Sequence, residues 1–161
     1  EQVTTWSAPD PRRVQAVCLG RRAAVRWLGR DDEDAFTSVA PSWALRGWGS
    51  FEAMLERGAA VGAPERVSGG LVSAAWIFDQ TRRYDALAVA TTPRFRRLGL
   101  GRTVAATLIE HVLHERRKLP LWSVHQDNLA SRELARSLGF TRSITENLWC
   151  WNASPSPQKE R

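Results

Sequence analysis

The sequence has little cysteine and no long apolar run. Cys18 and Cys150 are too few for a disulfide framework, and neither they nor the three histidines have the spacing of a metal site. No stretch reaches the roughly 18 apolar residues of a membrane span, and the first residues lack the apolar region of a secretory signal. We therefore expect a cytoplasmic protein without a metal or a membrane partner, whose cysteines are buried thiols. The chain begins with Glu1 rather than Met, as expected of a processed chain or one cut from a longer protein.

Tyrosine occurs once, whereas tryptophan occurs eight times in 161 residues. The length suits one domain, which we place at residues 1–151, and the 43% hydrophobic content suffices for a core. Most of the tryptophans are expected in that core, although the stripe of Trp43, Trp48 and Phe51 is also compatible with an aromatic pocket. Residues 152–161 hold two prolines and no apolar run, so they are predicted to be a disordered tail.

Hydrophobic periodicity predicts alternating strands and helices. Apolar runs predict strands over 14–19, 23–28, 71–78, 84–91, 121–124 and 144–151, the first two as a hairpin. Helical spacing predicts one or two helices over 42–57, interrupted by Gly47 and Gly49, and single helices over 101–118 and 128–138, the last ending at Gly139. Residues 1–12 and 62–70 are predicted to be irregular. From residue 71 the order is strand, strand, helix, strand, helix, strand, which predicts an α/β or α+β fold.

The segment 96–102 reads Arg-Arg-Leu-Gly-Leu-Gly-Arg, between a predicted strand and a predicted helix. Gly99 and Gly101 allow a tight turn and a close approach of the backbone to a ligand. The first amides of a helix have no intrahelical acceptor, and the helix dipole favours an anion at that end. No acid interrupts the four arginines between 94 and 102. The segment therefore predicts a phosphate site, which also accounts for much of the net charge of +6.

Two blocks of the sequence resemble the GNAT superfamily, the general N-acetyltransferases that use acyl-CoA. The family pattern Gln/Arg-x-x-Gly-x-Gly/Ala is matched at 96–101, after Pro93 and Phe95. The second block, 128–140, reads Asn-x-x-Ser-x-x-Leu-x-x-x-Leu-Gly-Phe and is similar to the family's second CoA-contacting unit. Within the superfamily, the sequence is most similar to a bacterial branch or to the glycine N-acyltransferase-like proteins, which also carry paired tryptophans near the C-terminus. The resemblance covers residues 70–151 and leaves 1–69 unmatched.

The resemblance implies a mixed, mainly antiparallel central sheet flanked by helices, with a splayed pair of strands that holds CoA. The backbone amides of 97–102 would bind the pyrophosphate, and the pantetheine arm would pair with the backbone of 89–91. The cofactor-binding residues that it implies are Val89, Ala90, Thr91, Arg96, Arg97, Leu98, Gly99, Leu100, Gly101, Arg102, Asn128 and Ser131.

The resemblance also suggests catalytic residues. Asp85 lies eleven positions before Arg96, where histone-type members carry a carboxylate that acts as general base. Many members have a tyrosine on the last helix that serves the leaving thiolate, but this chain has Ala135 there. Ser131, His125 and Tyr84 are the candidate replacements, and stabilisation by backbone or water is the alternative. A solvated or paired Asp85 is the simpler interpretation of that residue.

The predicted function is transfer of an acetyl or other short acyl group from acyl-CoA to a primary amine of a small molecule, an amino acid or a protein. Acetyl-CoA would be the co-substrate, without a metal. One alternative is a regulatory module of this fold that binds acyl-CoA without turnover. Another is a nucleic-acid partner, suggested by the basic charge, but the sequence has no RNA-reading motif and such binding is not expected. A homodimer is one assembly that the sequence allows.

Overall fold

The computed structural model describes residues 2–20 and 24–147. Its strands are β1 (Gln2–Ser7), β2 (Arg26–Trp27), β3 (Ala60–Pro64), β4 (Leu71–Gln80), β5 (Tyr84–Thr91), β6 (Leu119–His125) and β7 (Arg142–Asn147). Its α-helices are α1 (Pro11–Leu19), α2 (Glu33–Val39), α3 (Phe51–Arg57), α4 (Leu100–His114) and α5 (Leu129–Ser137). The predicted tail, residues 148–151 and Cys150 lie outside the described residues. None of the described helices is long and apolar enough to cross a bilayer.

The seven strands form one sheet in the order β2-β3-β4-β5-β6-β1-β7. Every neighbouring pair is antiparallel except β5 and β6, which run parallel. That parallel pair is short: it extends from Tyr84 opposite Leu119 to Ala86 opposite Leu121 and then stops. β5 nevertheless continues to Thr91 and β6 to His125. The two strands therefore diverge, and the splayed pair that the family resemblance implies is confirmed.

The helices cover both faces of the sheet. Trp76 of β4 packs edge-on against Phe36 of α2, with the ring centroids 5.3 Å apart. Ala75 faces the other side, with Val89 opposite it in β5. Val89 lies beside Gly101 of α4, so α4 covers this second face. Because side chains alternate along a strand, Asp85, Leu87, Val89 and Thr91 share the α4 face. The mixed sheet flanked by helices confirms the predicted fold class.

The N-terminal region differs from the prediction. Residues 14–19 are helical rather than a strand, because Asp10 caps α1 by accepting from the Arg12 amide at 2.9 Å, and Pro11 occupies the first turn. Residues 2–7 are a strand rather than irregular, and their partners lie in β6 and β7. The predicted hairpin between 14–19 and 23–28 is therefore wrong. Cys18 lies on α1 and is only partly buried.

The secondary structure of two other segments also differs from the prediction. Of the one or two helices predicted over 42–57, only α3 is present, since residues 42–50 form turns and bends. The predicted irregular segment 62–70 begins within β3. The aromatic stripe belongs mainly to the core: Trp48 and Phe51 are buried, whereas Trp43 is 45% exposed beside Trp76. The hairpin of β4 and β5, and helices α4 and α5, were predicted nearly at their observed positions.

The pair of Arg26 and Asp32 holds the edge strand β2 to the turn before α2. The Arg26 guanidinium donates to both oxygens of Asp32, at 2.7 and 2.6 Å, and the Gly29 amide donates to the same carboxylate at 2.8 Å. These hydrogen bonds, first that from Arg26, lower the pKa of Asp32 to about 2.

Replacing Asp32 by Asn is expected to lower the free energy of unfolding by about 1 kcal/mol near neutral pH, since Arg26 is 45% exposed and solvent screens the pair. The lowered pKa makes this contribution complete above about pH 4, and it is lost as the pH falls toward 2. Chemical denaturation at pH 7 and pH 2.5 measures both parts. Asp31→Asn, at an exposed neighbouring carboxylate, is the control. A stability difference from the control that is equally large at both pH values would contradict this account.

Candidate active site

The loop before α4 contains two left-handed residues. After a short 3-10 turn at Pro93–Phe95, Arg97 has φ 66° and Gly99 has φ 80°. The left-handed conformation is strained for arginine and natural for glycine. Such a loop holds its backbone amides in fixed directions before any ligand arrives.

The N-terminus of α4 is uncapped by any side chain of the described residues. Gly99 is the cap residue, and the Thr103 amide is the first to bond back, to the Gly99 carbonyl at 3.0 Å. The amides of Leu100, Gly101 and Arg102 therefore have no intrahelical acceptor, and the first turn carries no acid. A helix of this length has a partial positive charge at that end, which favours an anion.

Three arginines surround these amides and keep exposed guanidinium groups. Arg96 donates from Nε to the Thr91 carbonyl at 3.2 Å, which ties the loop to the end of β5. Arg102 donates to the Ser137 carbonyl at 3.2 Å, and Arg97 lies 4.0 Å from Glu133. The region is therefore both positively charged and braced against β5 and α5.

Gly101 brings α4 close to β5. A Cβ at this position would lie 3.2 Å from Thr91 Oγ1 and 3.5 Å from Val89 Cγ1. The first contact is tighter than an ordinary van der Waals approach, so a larger residue would push the helix away from the strand. Gly99 has a different reason to be glycine, because nothing lies within 4 Å of its Cβ position and only its positive φ requires it.

A groove of about 710 Å³, which we call the cradle groove, runs between the diverging strands, the start of α4 and the start of α5. It is lined by Ser38, Val39, Pro41, Val89, Ala90, Thr91, Thr92, Pro93, Phe95, Arg96, Arg97, Gly99, Leu100, Gly101, Arg102, Trp122, Asn128, Ala130, Ser131, Glu133 and Leu134. The structure therefore brings together every predicted cofactor-binding residue except Leu98. Leu98 lines a neighbouring cavity of about 970 Å³ beside α1.

Asn128 and Ser131 meet at the start of α5. Asn128 Oδ1 accepts from the Ser131 amide at 3.0 Å, so this side chain is the cap of α5. Asn128 also lines the groove, and its amide group is still able to donate. Ser131 Oγ accepts from Trp122 Nε1 at 3.0 Å, and Trp122 is almost fully buried.

Asp85 lies away from the cradle groove. Its side chain is fully buried at the start of β5, on the face covered by α4. It accepts two hydrogen bonds from Arg116 and one from Lys118 Nζ at 2.9 Å. Arg116 also donates to the Arg57 carbonyl at 3.1 Å, and both cations donate to Gln80. This buried cluster links β4, β5, the end of α3 and the turn after α4, which is a structural role for the carboxylate.

Of the other three candidate catalytic residues, only one lines the cradle groove. Tyr84 begins β5 opposite Leu119, at the paired end of the strand, with Arg83 stacked on its ring. His125 ends β6 with an exposed side chain. Neither residue lines the cradle groove, whereas Ser131 does. Of the four predicted catalytic residues, the structure therefore brings only Ser131 to the cofactor-binding set.

Several residues of the groove lie outside the motifs of the sequence. Ser38, Val39 and Pro41 reach it from the end of α2, a region that no motif marked. Trp122 was also missed, although its need for an acceptor and the nearby serine were readable signals.

Comparisons with known proteins agree with this geometry. The family model described as GNAT acetyltransferase matches residues 31–146. No curated protein matches the chain. Among the residues that the structure describes, no three His, Cys, Asp or Glu side chains lie together in a group that could hold a metal ion.

Several solved structures have the same fold. A GCN5-related N-acetyltransferase-like protein from Streptococcus suis 89/1591 has a TM-score of 0.70 at 22% identity, covering 90% of this chain and 60% of its own. A GNAT-family acetyltransferase from Colwellia psychrerythraea has 0.63 at 18%, covering 89% and 53%. A phosphinothricin acetyltransferase from Sinorhizobium meliloti, solved with acetyl-CoA, has 0.62 at 16%, covering 74% and 75%.

The chain spans between 48% and 61% of the length of four similar structures, among them the Streptococcus suis and Colwellia psychrerythraea proteins. At these identities the structural likeness shows the fold. The family model extends over well over half of the 161 residues and includes both the arginine- and glycine-rich segment 96–102 and the start of α5. This chain therefore belongs to the GNAT acetyltransferase family.

Proposed function

We propose that this protein transfers an acetyl or other short acyl group from acyl-CoA to a primary amine. The observation that carries the proposal is the set of unpaired amides at the start of α4, which opens directly into the groove between the diverging strands. A pyrophosphate and an extended arm together require such a combination of an anion site and a narrow cleft. Family membership supports the same reaction class.

The residues present fit acetyl-CoA. The amides of Leu100, Gly101 and Arg102 would bind the pyrophosphate, with Arg96 and Arg97 supplying charge. The backbone of 89–91 lies beyond the last β5–β6 pair, so the groups on that edge other than the Thr91 carbonyl, which accepts from Arg96, are open to an extended ligand, as in strand addition. The Asn128 amide group would donate to the arm.

Acetyl-CoA would supply the acyl group as a thioester. The amine nitrogen would form a bond to the acyl carbon, and the carbon–sulfur bond would break. Asp85 is buried and does not line the groove, so it cannot reach the amine. Glu133 is the only acid among the described residues of the groove, and it is paired with Arg97. We therefore assign removal of the amine proton to solvent water.

The acceptor would enter on the side of α2, where Ser38, Val39 and Pro41 line the groove. It would be the primary amine of a small molecule, an amino acid or a protein. The acyl group would pass directly from the thioester to the amine, without an acyl-enzyme.

Calorimetric titration with acetyl-CoA, followed by thiol release against a panel of amines, amino acids and peptides, tests the proposal. We expect binding and release of thiol that depends on the acceptor. Binding without release from any acceptor would favour a module that holds acyl-CoA without turnover. Absence of binding would overturn the assignment of the start of α4 as a pyrophosphate site.

Arg96→Ala is expected to weaken acetyl-CoA binding by about tenfold, because it removes a charged donor beside the amides and the hydrogen bond that holds the loop to Thr91. Titration of the folded variant measures the change. Arg82→Ala, at an exposed arginine in the turn between β4 and β5, is the matched control and should bind as the parent does. Equal affinity in the two variants would remove Arg96 from the site.

A further inference from the structure

Trp122 lies where β5 and β6 separate. It follows Leu121, the last residue of β6 that pairs with β5, so the Trp122 backbone is at the vertex of the diverging strands. If the anion end of the ligand is at the start of α4, the vertex is where the opposite, reacting end of an extended arm would lie. Ser131 contacts Trp122 here, and both residues line the cradle groove.

The direction of the hydrogen bond between these residues is fixed. An indole N–H is a donor only, so Ser131 Oγ accepts at 3.0 Å and its own proton must be donated elsewhere. The Ser131 amide is held by Asn128 at 3.0 Å, which fixes the serine in the first turn of α5. Within the described part of the chain, no acceptor receives the Ser131 hydroxyl proton.

The other hydroxyl groups that line the groove have acceptors for their protons. Ser38 donates to the Ala35 carbonyl at 2.7 Å, and Thr92 donates to the Val72 carbonyl at 2.8 Å. Thr91 shares a 2.8 Å hydrogen bond with Ser73, which itself donates to the Ala90 carbonyl at 3.1 Å. With the only Ser73 proton used there, Thr91 donates to Ser73.

We propose that the Ser131 hydroxyl donates its hydrogen bond to the sulfur that leaves acyl-CoA, and that Trp122 is the positioning residue that turns this hydroxyl toward the groove. This inference rests on the proposed acyl transfer and names its leaving-group donor. As the carbon–sulfur bond breaks, sulfur keeps the electron pair and is stabilised by the Ser131 proton. The proton released by the amine, carried by water, then neutralises the thiolate.

The local packing explains why serine can have this role. Ala135, one turn after Ser131, is fully buried and offers only a methyl group. Trp122 packs against Phe140 with the ring centroids 5.7 Å apart, so the indole is held by the core. A donated N–H also polarises the serine hydroxyl and makes it a stronger donor.

The first test measures bound CoA and needs no acceptor. Difference absorbance of CoA against desulfo-CoA follows thiolate formation in the complex as the pH rises. In the parent protein the midpoint should be about one pH unit lower than in Ser131→Ala, because a hydrogen bond to a charged group favours that form. Trp122→Phe should lose part of this shift, and Ser131→Thr should keep it. Equal midpoints in the parent and Ser131→Ala would overturn the inference.

The second test is a double-mutant cycle in turnover. Ser131→Ala should lower kcat by roughly tenfold to a hundredfold with acetyl-CoA affinity nearly unchanged. Trp122→Phe should lower kcat less, and in the Ser131→Ala background it should have no further effect, since it acts through the serine. Ser123→Ala, at an exposed serine of β6, is the control. Additive losses would remove Trp122 from its positioning role.

The two proposals fail differently. A shifted thiolate midpoint without acyl transfer to any amine would contradict the proposed function and support the contact between Ser131 and sulfur. Acyl transfer with an unshifted midpoint and unchanged kcat in Ser131→Ala would support the function and overturn the inference. Absence of CoA binding would overturn both.

Discussion

Asp85→Asn is expected to lower the free energy of unfolding by about 3 kcal/mol, because removing one partner of a buried ion pair leaves uncompensated charge. We take the lower end of the usual range since Arg116 and Lys118 each keep 18% exposure, whereas Asp85 has none. For a chain of this length the midpoint of thermal unfolding should fall by about 6–12 °C. Denaturant unfolding and a thermal scan measure the two quantities.

The control for this change is Asp79→Asn, at an exposed carboxylate on the neighbouring strand. At a temperature where both variants are folded, turnover and acetyl-CoA affinity should stay near those of the parent. A large loss of turnover in Asp85→Asn without a loss of stability would instead restore Asp85 as the general base.

Gly101→Val is expected to weaken acetyl-CoA binding by at least about tenfold, or about 1.4 kcal/mol. Its side chain would meet Thr91 Oγ1 and Val89 Cγ1, at distances already of 3.2 and 3.5 Å from the Cβ position alone. The start of α4 would have to move, and its unpaired amides would leave their positions above the groove. Calorimetric titration of the folded variant measures the loss.

Gly29→Val is the matched control, because Gly29 has extended backbone and nothing within 4 Å of its Cβ position. Its affinity for acetyl-CoA should match that of the parent. A folded Gly101→Val variant that binds as tightly as this control would show that the close approach of α4 to β5 is not needed for the anion site.

The parts of the fold predicted correctly are those with local signals. The β4–β5 hairpin, α4 and α5 each carry a continuous apolar pattern and glycine at a boundary, and Gly139 has the predicted left-handed conformation at φ 80°. α1 was missed because Val14 and Val17 suggested a strand, while the cap of Asp10 and Pro11 decided the outcome. β1 was missed because its partners lie far away in the sequence.

The site divides in the same way. The candidate anion site at the start of α4 depends on one continuous segment, 96–102, and was therefore predictable from the sequence. The environment of Asp85 was not, because its partners lie 31 and 33 residues later and reach it only after α4 folds back on β5. The contact between Trp122 and Ser131 likewise depends on how β6 turns into α5. Spacing located these residues but could not show what they touch.

The position of β1 between β6 and β7 has a consequence for biogenesis. Residues 2–7 are synthesised well before both of their neighbours in the sheet, so Val3 and Trp6 wait for more than a hundred residues before they can be buried. Native contacts of such large sequence separation slow folding and leave apolar strand edges exposed meanwhile. Closing the sheet around β1 is therefore expected to be a late step that must follow the synthesis of β6 and β7, and this half of the sheet is expected to be the one most dependent on chaperones.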